Sequence, residues 1–312
     1  MSEQFCDVGR GITLCYETYG DQSDPTALLI MGLGTQMIAW QEDFCLELAS
    51  RGLHVVRFDN RDIGCSTHVA GRPPTIPQLL TRSSRAARYS LADMADDTAG
   101  LLGRLELGPA HVIGASMGGM IAQTLAAHHP RAVRSLVSIM SNTGSLRSGQ
   151  PSLRMFSLLL RRPPRGREAY IEHMVGMFAA IGSPGLPREE DDIRALAALS
   201  YDRDHDPAGP GRQLAAIIAS GDRTPELHGI TAPTLVIHGA ADRLVAPSGG
   251  RATARAIARS QLMLVRGMGH DLPRAVWPGI IDATAAHCAR ADAEAEHPPL
   301  QTRPTSVPGL QG

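Results

Sequence analysis

A serine set among glycines is the residue of this sequence whose surroundings most clearly indicate chemistry. Residues 111–120 read HVIGASMGGM, and GASMG at 114–118 fits the pattern G-x-S-x-G. In that pattern the serine occupies a sharp turn between a strand and a helix, so its neighbours must be small. The turn exposes the hydroxyl at the positive end of the helix, which favours a developing oxyanion. The stretch predicts a nucleophile at Ser116; the alternative is a serine that only caps a helix.

A base and an orienting acid must accompany such a serine, because a lone hydroxyl is a poor nucleophile. Two later apolar runs end on residues of these types. TLVIHGAADRLV (234–245) offers Asp242, and LMLVRGMGH (262–270) ends on His270. The order serine, acid, histidine is that expected when the serine lies in a strand–turn–helix. We therefore predict that Ser116, Asp242 and His270 are catalytic, and that His238 is a buried core histidine.

Two backbone N–H groups are needed to hold the oxyanion of such a reaction. One is predicted at Met117, directly after the serine. The other is predicted in MGLG (31–34), which follows an apolar run and whose glycines let the main chain approach a bound carbonyl. We assign this second donor to Leu33, with Gly34 as the alternative. An ordinary turn that ends a strand is the simpler interpretation of the same residues.

The elements that must position these groups form an α/β pattern. Strand-like and helix-like stretches alternate up to residue 141, and the strands return after 229, which predicts a mostly parallel twisted sheet with helices on both faces. Residues 142–228 instead show helix-like pieces between Pro- and Gly-rich turns. We expect a core of residues 1–141 and 229–290, an inserted all-helical cap at 142–228 and a mobile tail at 291–312.

Composition limits the remaining classes of function. The 312 residues carry a formal net charge of −1, which argues against a nucleic-acid-binding surface. All 30 basic residues are arginine. We expect no membrane span and no signal peptide, because no apolar run has the required length. The cysteines have no metal-ligand spacing, which favours a reduced, cytoplasmic chain. These cysteines are Cys6, Cys15, Cys45, Cys65 and Cys288.

Together these motifs resemble the α/β-hydrolase family, in its cap-bearing branch, from about residue 11 to 289. The matching stretches are MGLG (31–34), DNRDIGCS (59–66), GASMGG (114–119), GAADRLV (239–245) and GMGH (267–270). Two residues depart from the usual pattern. Met31 stands where the family usually has histidine, and Asp62 stands where it usually has glycine. The Arg61-Asp62 form resembles the branch of aclacinomycin methylesterase-like serine esterases.

The resemblance implies hydrolysis of a carboxylic ester through an acyl-enzyme on Ser116, with His270 as base and Asp242 as its orienting acid. It implies oxyanion donors at Leu33 and Met117 and no metal or organic cofactor. One such activity is a methylesterase of a polyketide-type substrate. Thioesterases, acyltransferases, cofactor-free haloperoxidases and carbon–carbon hydrolases share these residues and stay open, as does a small-molecule binding module. The substrate and the oligomeric state are not determined by the sequence.

Overall fold

The fold was taken from a computed structural model that describes residues 2–71, 73–81, 87–161 and 163–297. Its strands are β1 (Gln4–Gly9), β2 (Ile12–Tyr19), β3 (Thr26–Ile30), β4 (His54–Phe58), β5 (Ala110–Ala115), β6 (Val133–Ile139), β7 (Thr234–Gly239) and β8 (Ser260–Val265). They form one eight-stranded sheet in the order β1-β2-β4-β3-β5-β6-β7-β8. The pairs β1–β2 and β2–β4 are antiparallel, and all others are parallel. The predicted mostly parallel sheet is confirmed.

The helices cover both faces of this sheet. In chain order they are α1 (Glu42–Ala49), α2 (Ile76–Leu80), α3 (Leu91–Arg104), α4 (Met117–His128), α5 (Leu153–Leu159), α6 (Arg167–Ile181), α7 (Glu190–Arg203), α8 (Gly209–Ser220), α9 (Thr224–Leu227), α10 (Ser248–Ala256) and α11 (Trp277–Glu296). Within the described ranges, no helix combines the length and the apolar character needed to cross a membrane.

Adjacent residues of a central strand pack against opposite layers, because side chains alternate along a strand. Leu28 of β3 belongs to the apolar cluster formed with α3 and α4, whereas Leu29 belongs to the cluster formed with α1 and α11. Every residue of β3, β4, β5 and β7 is buried. Burial on both faces explains why these strands read as continuous apolar runs in the sequence.

The chain between β6 and β7 is helical. Helices α5 to α9 all fall within residues 142–228, which we call the helical segment. Its own apolar core is small: Tyr170 and Ile171 of α6 pack on Ala197 of α7. Much of the surface of α6 and α7 is exposed. The segment therefore depends on contacts with the rest of the molecule to hold its position.

The last helix extends further than the sequence suggested. The predicted start of a mobile tail at 291 lies inside α11, which continues to Glu296. Ala291 is buried, and Asp292 accepts hydrogen bonds from Arg134 (3.2 Å) and His111 (3.1 Å). The prediction is wrong for residues 291–296, because alanine and glutamate are strong helix formers and Ala291 and Asp292 still contact the rest of the protein. Residues 298–312 lie outside the described residues.

Candidate active site

Ser116 lies in the turn between β5 and α4, with φ 57° and ψ −117°. Such a conformation is strained for a residue other than glycine and persists only where the surroundings impose it. Its N–H donates to the Ile139 carbonyl at 2.9 Å. A Cβ on Gly118 would lie 2.1 Å from the Ile30 oxygen, and one on Gly114 would lie 2.2 Å from the Gly118 oxygen. Both positions therefore require glycine, as the G-x-S-x-G pattern predicts.

The structure brings together the three side chains that the sequence singles out. Ser116 Oγ is 2.9 Å from His270 Nε2, and His270 Nδ1 is 2.7 Å from Asp242 Oδ2. An ionised carboxylate only accepts, so His270 donates its Nδ1–H to Asp242 and keeps Nε2 free to accept from the serine hydroxyl. Asp242 and His270 are both buried. The arrangement can remove a proton from Ser116 and hold the resulting imidazolium.

The loop after β7 fixes the acid. Asp242 Oδ1 accepts hydrogen bonds from the N–H groups of Leu244 (2.9 Å) and Val245 (2.8 Å), so Oδ2 is left for the histidine. His238 is fully buried, as predicted, and donates its Nε2–H to the Val245 carbonyl at 2.8 Å. The same nitrogen lies 3.5 Å from Asp242 Oδ2. His238 therefore packs against the acid without contacting the serine.

The surroundings of Asp242 keep it ionised. Burial by itself would raise the pKa of this carboxyl group. The attraction of His270 and the hydrogen bonds that the carboxylate accepts outweigh burial and lower its pKa from 3.8 to about 2. At neutral pH the acid is therefore a permanent negative charge beside the imidazole.

The loop that carries His270 lies against the end of α6. The His270 N–H donates to the Ile181 carbonyl at 2.9 Å, and the Gly269 N–H donates to Ser183 Oγ at 2.8 Å. The Ser183 hydroxyl in turn donates to Asp271 Oδ1. Asp271, the carboxylate next to the histidine, is thus engaged by the helical segment and not by the imidazole.

Two backbone N–H groups beside the serine are free to bind a ligand. Leu33 and Met117 line the same cavity as Ser116. Within the described ranges, neither of their N–H groups donates a hydrogen bond to another protein group. The N–H of Gly34, the alternative donor in the sequence, is instead bound to Gln213 Oε1 at 2.9 Å. The geometry thus favours Leu33 over Gly34.

The serine and histidine open onto a cavity of about 520 Å³ between the sheet edge and the helical segment. This volume suits a ligand the size of a typical cofactor or drug. The walls that come from the helical segment are mainly apolar. The apolar residues include Phe156, Met174, Met177, Phe178, Leu214 and Ile218, and the charged residues of the same walls include Arg188, Glu189 and Asp192. A ligand with a large apolar body could therefore be enclosed with its reactive group at Ser116.

In the described part of the chain, side chains that could bind a metal ion lie close together at two places. In each of them an arginine side chain contacts these groups. Asp62 and Asp206, which lie near His68, both accept from Arg212. The second group comprises Glu3, Cys15 and Cys65. The guanidinium of Arg203 contacts the glutamate and Cys15 of that group. A guanidinium supplies the positive charge at each position.

The loop 59–66 supports the site in a way that the sequence analysis did not resolve. Asp59 accepts from the Met37 N–H at 2.7 Å, and Asn60 donates its Nδ2–H to the Met31 carbonyl at 3.0 Å. Asp62, buried and with φ 70°, binds Arg212 of α8 through both carboxylate oxygens (2.7 and 2.9 Å). The one sequence signal was the aspartate itself, a charge where the family usually has glycine.

Comparisons with known proteins identify the family of the chain. A family model described as "Serine aminopeptidase, S33" matches residues 21–274. Rhodomycin D methylesterase DauP of Streptomyces sp. (strain C5) is 28% identical over 305 residues, which cover 90% of this chain and 96% of that protein. Rhodomycin D methylesterase DnrP of Streptomyces peucetius is 26% identical over 303 residues, with the same coverage of both chains, 90% and 96%.

Among solved structures, the enol-lactonase from Burkholderia xenovorans LB400 is similar in fold, with a TM-score of 0.69 and 22% sequence identity. The similarity covers 93% of this chain and 100% of that one. The family match extends over most of the chain and includes all the motifs from which the resemblance was inferred. These findings confirm that resemblance, and the chain belongs to the α/β-hydrolase family.

Proposed function

We propose that this protein is a serine hydrolase that cleaves carboxylic esters, with residues 142–228 acting as a cap over the substrate. The observation that carries the proposal is the hydrogen-bonded series Ser116–His270–Asp242 at the wall of an apolar cavity. Nucleophile, base and orienting acid are within hydrogen-bond distance, which is the geometry that acyl transfer to a serine requires. The methylesterase relatives support the choice of an ester.

In the proposed reaction Ser116 Oγ attacks the ester carbonyl while its proton passes to His270 Nε2. The negative charge that develops on the carbonyl oxygen is held by the N–H groups of Leu33 and Met117. Asp242 stabilises the imidazolium. His270 then protonates the departing alcohol, which leaves an acyl group on the serine. Water, activated by the same imidazole, releases the acid and restores the enzyme.

We further propose a methyl ester of a bulky, polyketide-type acid as the substrate. Two features support this choice. The relatives DauP and DnrP are named for a methylesterase activity on rhodomycin D. The cavity is large and has apolar walls, which suits a broad acid portion better than a short acyl chain. The methoxy group would be the small leaving group, released as methanol once His270 has protonated its oxygen.

A labelling and turnover experiment tests the proposal. The wild type should react with a fluorophosphonate probe at Ser116 and hydrolyse methyl esters of bulky acids faster than esters of acetate. Ser116→Ala should lose both labelling and turnover while it still binds the bulky ester. Ser157→Ala, at an exposed serine of α5, is the control and should behave like the wild type.

Other outcomes would overturn the proposal. A wild type that binds the ester but neither reacts with the probe nor turns over any ester is a binding module. Turnover restricted to thioesters, or carbon–carbon cleavage without ester cleavage, would reject the ester assignment while leaving the nucleophile intact. Because each result points to a different class, one panel of substrates decides among them.

A further inference from the structure

The loop of residues 31–37, here called the oxyanion loop, is anchored at both ends by the core. Asn60 donates to the Met31 carbonyl, and Asp59 accepts from the Met37 N–H. Its middle is anchored from the opposite side, by the helical segment. There the Gly34 N–H donates to Gln213 Oε1 at 2.9 Å, across 179 positions of the sequence.

Gln213 is fully buried in α8, and both ends of its amide bind backbone groups of the core. Its Oε1 accepts from Gly34, and its Nε2–H donates to the Arg61 carbonyl at 2.8 Å. A carbonyl only accepts, so the amide can satisfy both partners in one orientation only. The side chain therefore joins the oxyanion loop to the loop 59–66 and holds both at a defined spacing.

The bond to Gly34 acts on the residue next to it. The peptide plane between Leu33 and Gly34 is rigid, so a hydrogen bond to the Gly34 N–H fixes the orientation of that plane. Only the two backbone dihedrals of Leu33 then separate the anchored plane from the one that carries the Leu33 N–H. Gly34 itself has φ 65°, a conformation that favours glycine. This contact therefore helps to set the direction of the Leu33 N–H, together with the Thr35 hydroxyl, which donates to the Leu33 carbonyl of the same plane at 3.1 Å.

Helix α8 is a fixed support for this contact. Arg212, the neighbour of Gln213, forms the buried two-point ion pair with Asp62. At the start of the helix the backbone is in close contact with the core. A Cβ added to Gly209 would lie only 1.9 Å from the backbone carbonyl oxygen of Asp62. Pro210 meets the oxyanion loop directly, 3.2 Å from where a Cβ of Gly34 would stand.

We propose that Gln213 is a positioning residue for catalysis: from the helical segment, it holds the oxyanion loop so that the Leu33 N–H faces the developing negative charge. The inference rests on the proposed function, since it takes Leu33 as an oxyanion donor. It adds that the helical segment shapes the pocket and also fixes part of the reaction centre. The segment can therefore influence rate as well as substrate preference.

Gln213→Met tests this inference, because methionine fills the space and provides neither hydrogen bond. Loss of one oxyanion donor lowers kcat by about 10²- to 10³-fold. A donor that is displaced but present should cost less, so we expect kcat to fall about 10- to 100-fold with KM nearly unchanged. Affinity for an alkyl boronic acid, whose oxygen occupies the oxyanion position, should fall in parallel.

Ser220→Ala is the matched control on the same helix. Ser220 Oγ accepts from the Leu91 N–H at 3.0 Å, so this variant also removes an acceptor that α8 offers to a core backbone group. It lies away from the oxyanion loop, and its kcat should stay within about twofold of the wild type. Gln213→Asn is a milder second variant, because its shorter amide keeps the polarity but withdraws the oxygen from Gly34. Its kcat should fall as well.

Equal kcat values for the Gln213 variants and Ser220→Ala would overturn the inference, as would a loss confined to KM. If Gln213→Met does not fold, the same decision is made on Gln213→Asn, with boronic acid affinity as the second readout. Failure of the proposed function is seen separately, in the wild type, as absence of fluorophosphonate labelling at Ser116. The two failures therefore give different results.

Discussion

In the sheet core, Ser116 is held by backbone packed on backbone, whereas α8 of the helical segment combines one such backbone contact with bonds from charged and polar side chains. Around the serine there is no room for a Cβ at Gly114 or Gly118. Around α8 the backbone contact at Gly209 is joined by the Asp62–Arg212 ion pair and the amide of Gln213. The first arrangement excludes alternatives by steric contact, and the second selects one position by directional bonds.

The difference shows that the core fixes the nucleophile, while the helical segment can change without disturbing it. Close-packed backbone tolerates little displacement, which suits a nucleophile that must meet its base within a hydrogen-bond distance. Side-chain bonds can be exchanged without rebuilding the sheet. Substitutions in the helical segment can therefore change the residues that line the cavity, while the bonds of α8 keep that helix in its position. Each prediction below changes one contact in one of the two regions.

The largest effect is expected in the core, for Asp242→Asn. The amide would favour the wrong imidazole tautomer, so kcat should fall by about 10⁴-fold, which corresponds to about 5 kcal/mol. Steady-state kinetics on the bulky methyl ester measures it. Asp271→Asn is the control, since that carboxylate binds Ser183 and not the imidazole. A similar loss in both variants would contradict the assigned acid.

Removing the ion pair that fastens α8 should give the next largest effect. Arg212→Met leaves the buried Asp62 with the Tyr89 hydroxyl and the Val69 N–H but without a cation, and we expect the free energy of unfolding to fall by about 3–5 kcal/mol. Denaturant unfolding measures it. Adding Asp62→Gly should restore much of the loss, because the buried charge goes and φ 70° suits glycine. Arg194→Met, at an exposed pair with Glu172, should change little.

Low pH should reduce the stability of the fold, because Asp242 becomes protonated. Its pKa is lowered from 3.8 to about 2, so its ionisation stabilises the fold above pH 3.8. That contribution, about 2 kcal/mol, is lost as the pH falls through 2. Unfolding free energies at a series of pH values between 5 and 2 measure it. The pH slope should be shallower in Asp242→Asn, and an unchanged slope would contradict the lowered pKa.

The smallest effect is expected for a glycine-to-alanine substitution in the helical segment, and the same substitution in the core turn provides the contrast. Gly176 lies exposed in α6, and a Cβ added there would have no described atom within 4 Å. Gly176→Ala should therefore raise the free energy of unfolding by about 0.5–1 kcal/mol. Gly118→Ala places its methyl 2.1 Å from the Ile30 oxygen and should lower it. Thermal unfolding compares the two. Equal signs would show that the core turn has more freedom than its contacts indicate.

The serine, acid and histidine could be predicted because each follows the end of a strand: Ser116 and Asp242 follow the buried β5 and β7, and His270 follows the edge strand β8. In a parallel sheet such ends meet at one edge, so the order along the chain is enough to bring Ser116, Asp242 and His270 together. Strands β5 and β7 were recognisable because both of their faces are buried, and β8 was recognisable from its apolar run LMLV. Local sequence and sheet topology together determine this part of the site.

Gln213 could not be predicted in the same way. Its partners, Gly34 and Arg61, are backbone groups far away in sequence, and a backbone group leaves no residue-specific signal. Arg212 was equally hidden, because it lies 150 positions from Asp62 and nothing in the sequence pairs the two. The helical conformation of residues 291–296 was missed, because an alanine-rich polar sequence fits a loop as well as it fits a surface helix. Contacts between distant elements require the folded coordinates.

The absence of lysine has a consequence for behaviour in alkaline solution. A lysine ammonium would lose its proton near pH 10.4, while a guanidinium stays charged beyond pH 12. Arg212 and Arg203, which bind Asp62 and Asp59, therefore keep their charge through the whole range in which lysine-based pairs dissolve. The attachment of α7 and α8 should outlast that titration, and the alkaline limit of the enzyme should be set by other groups.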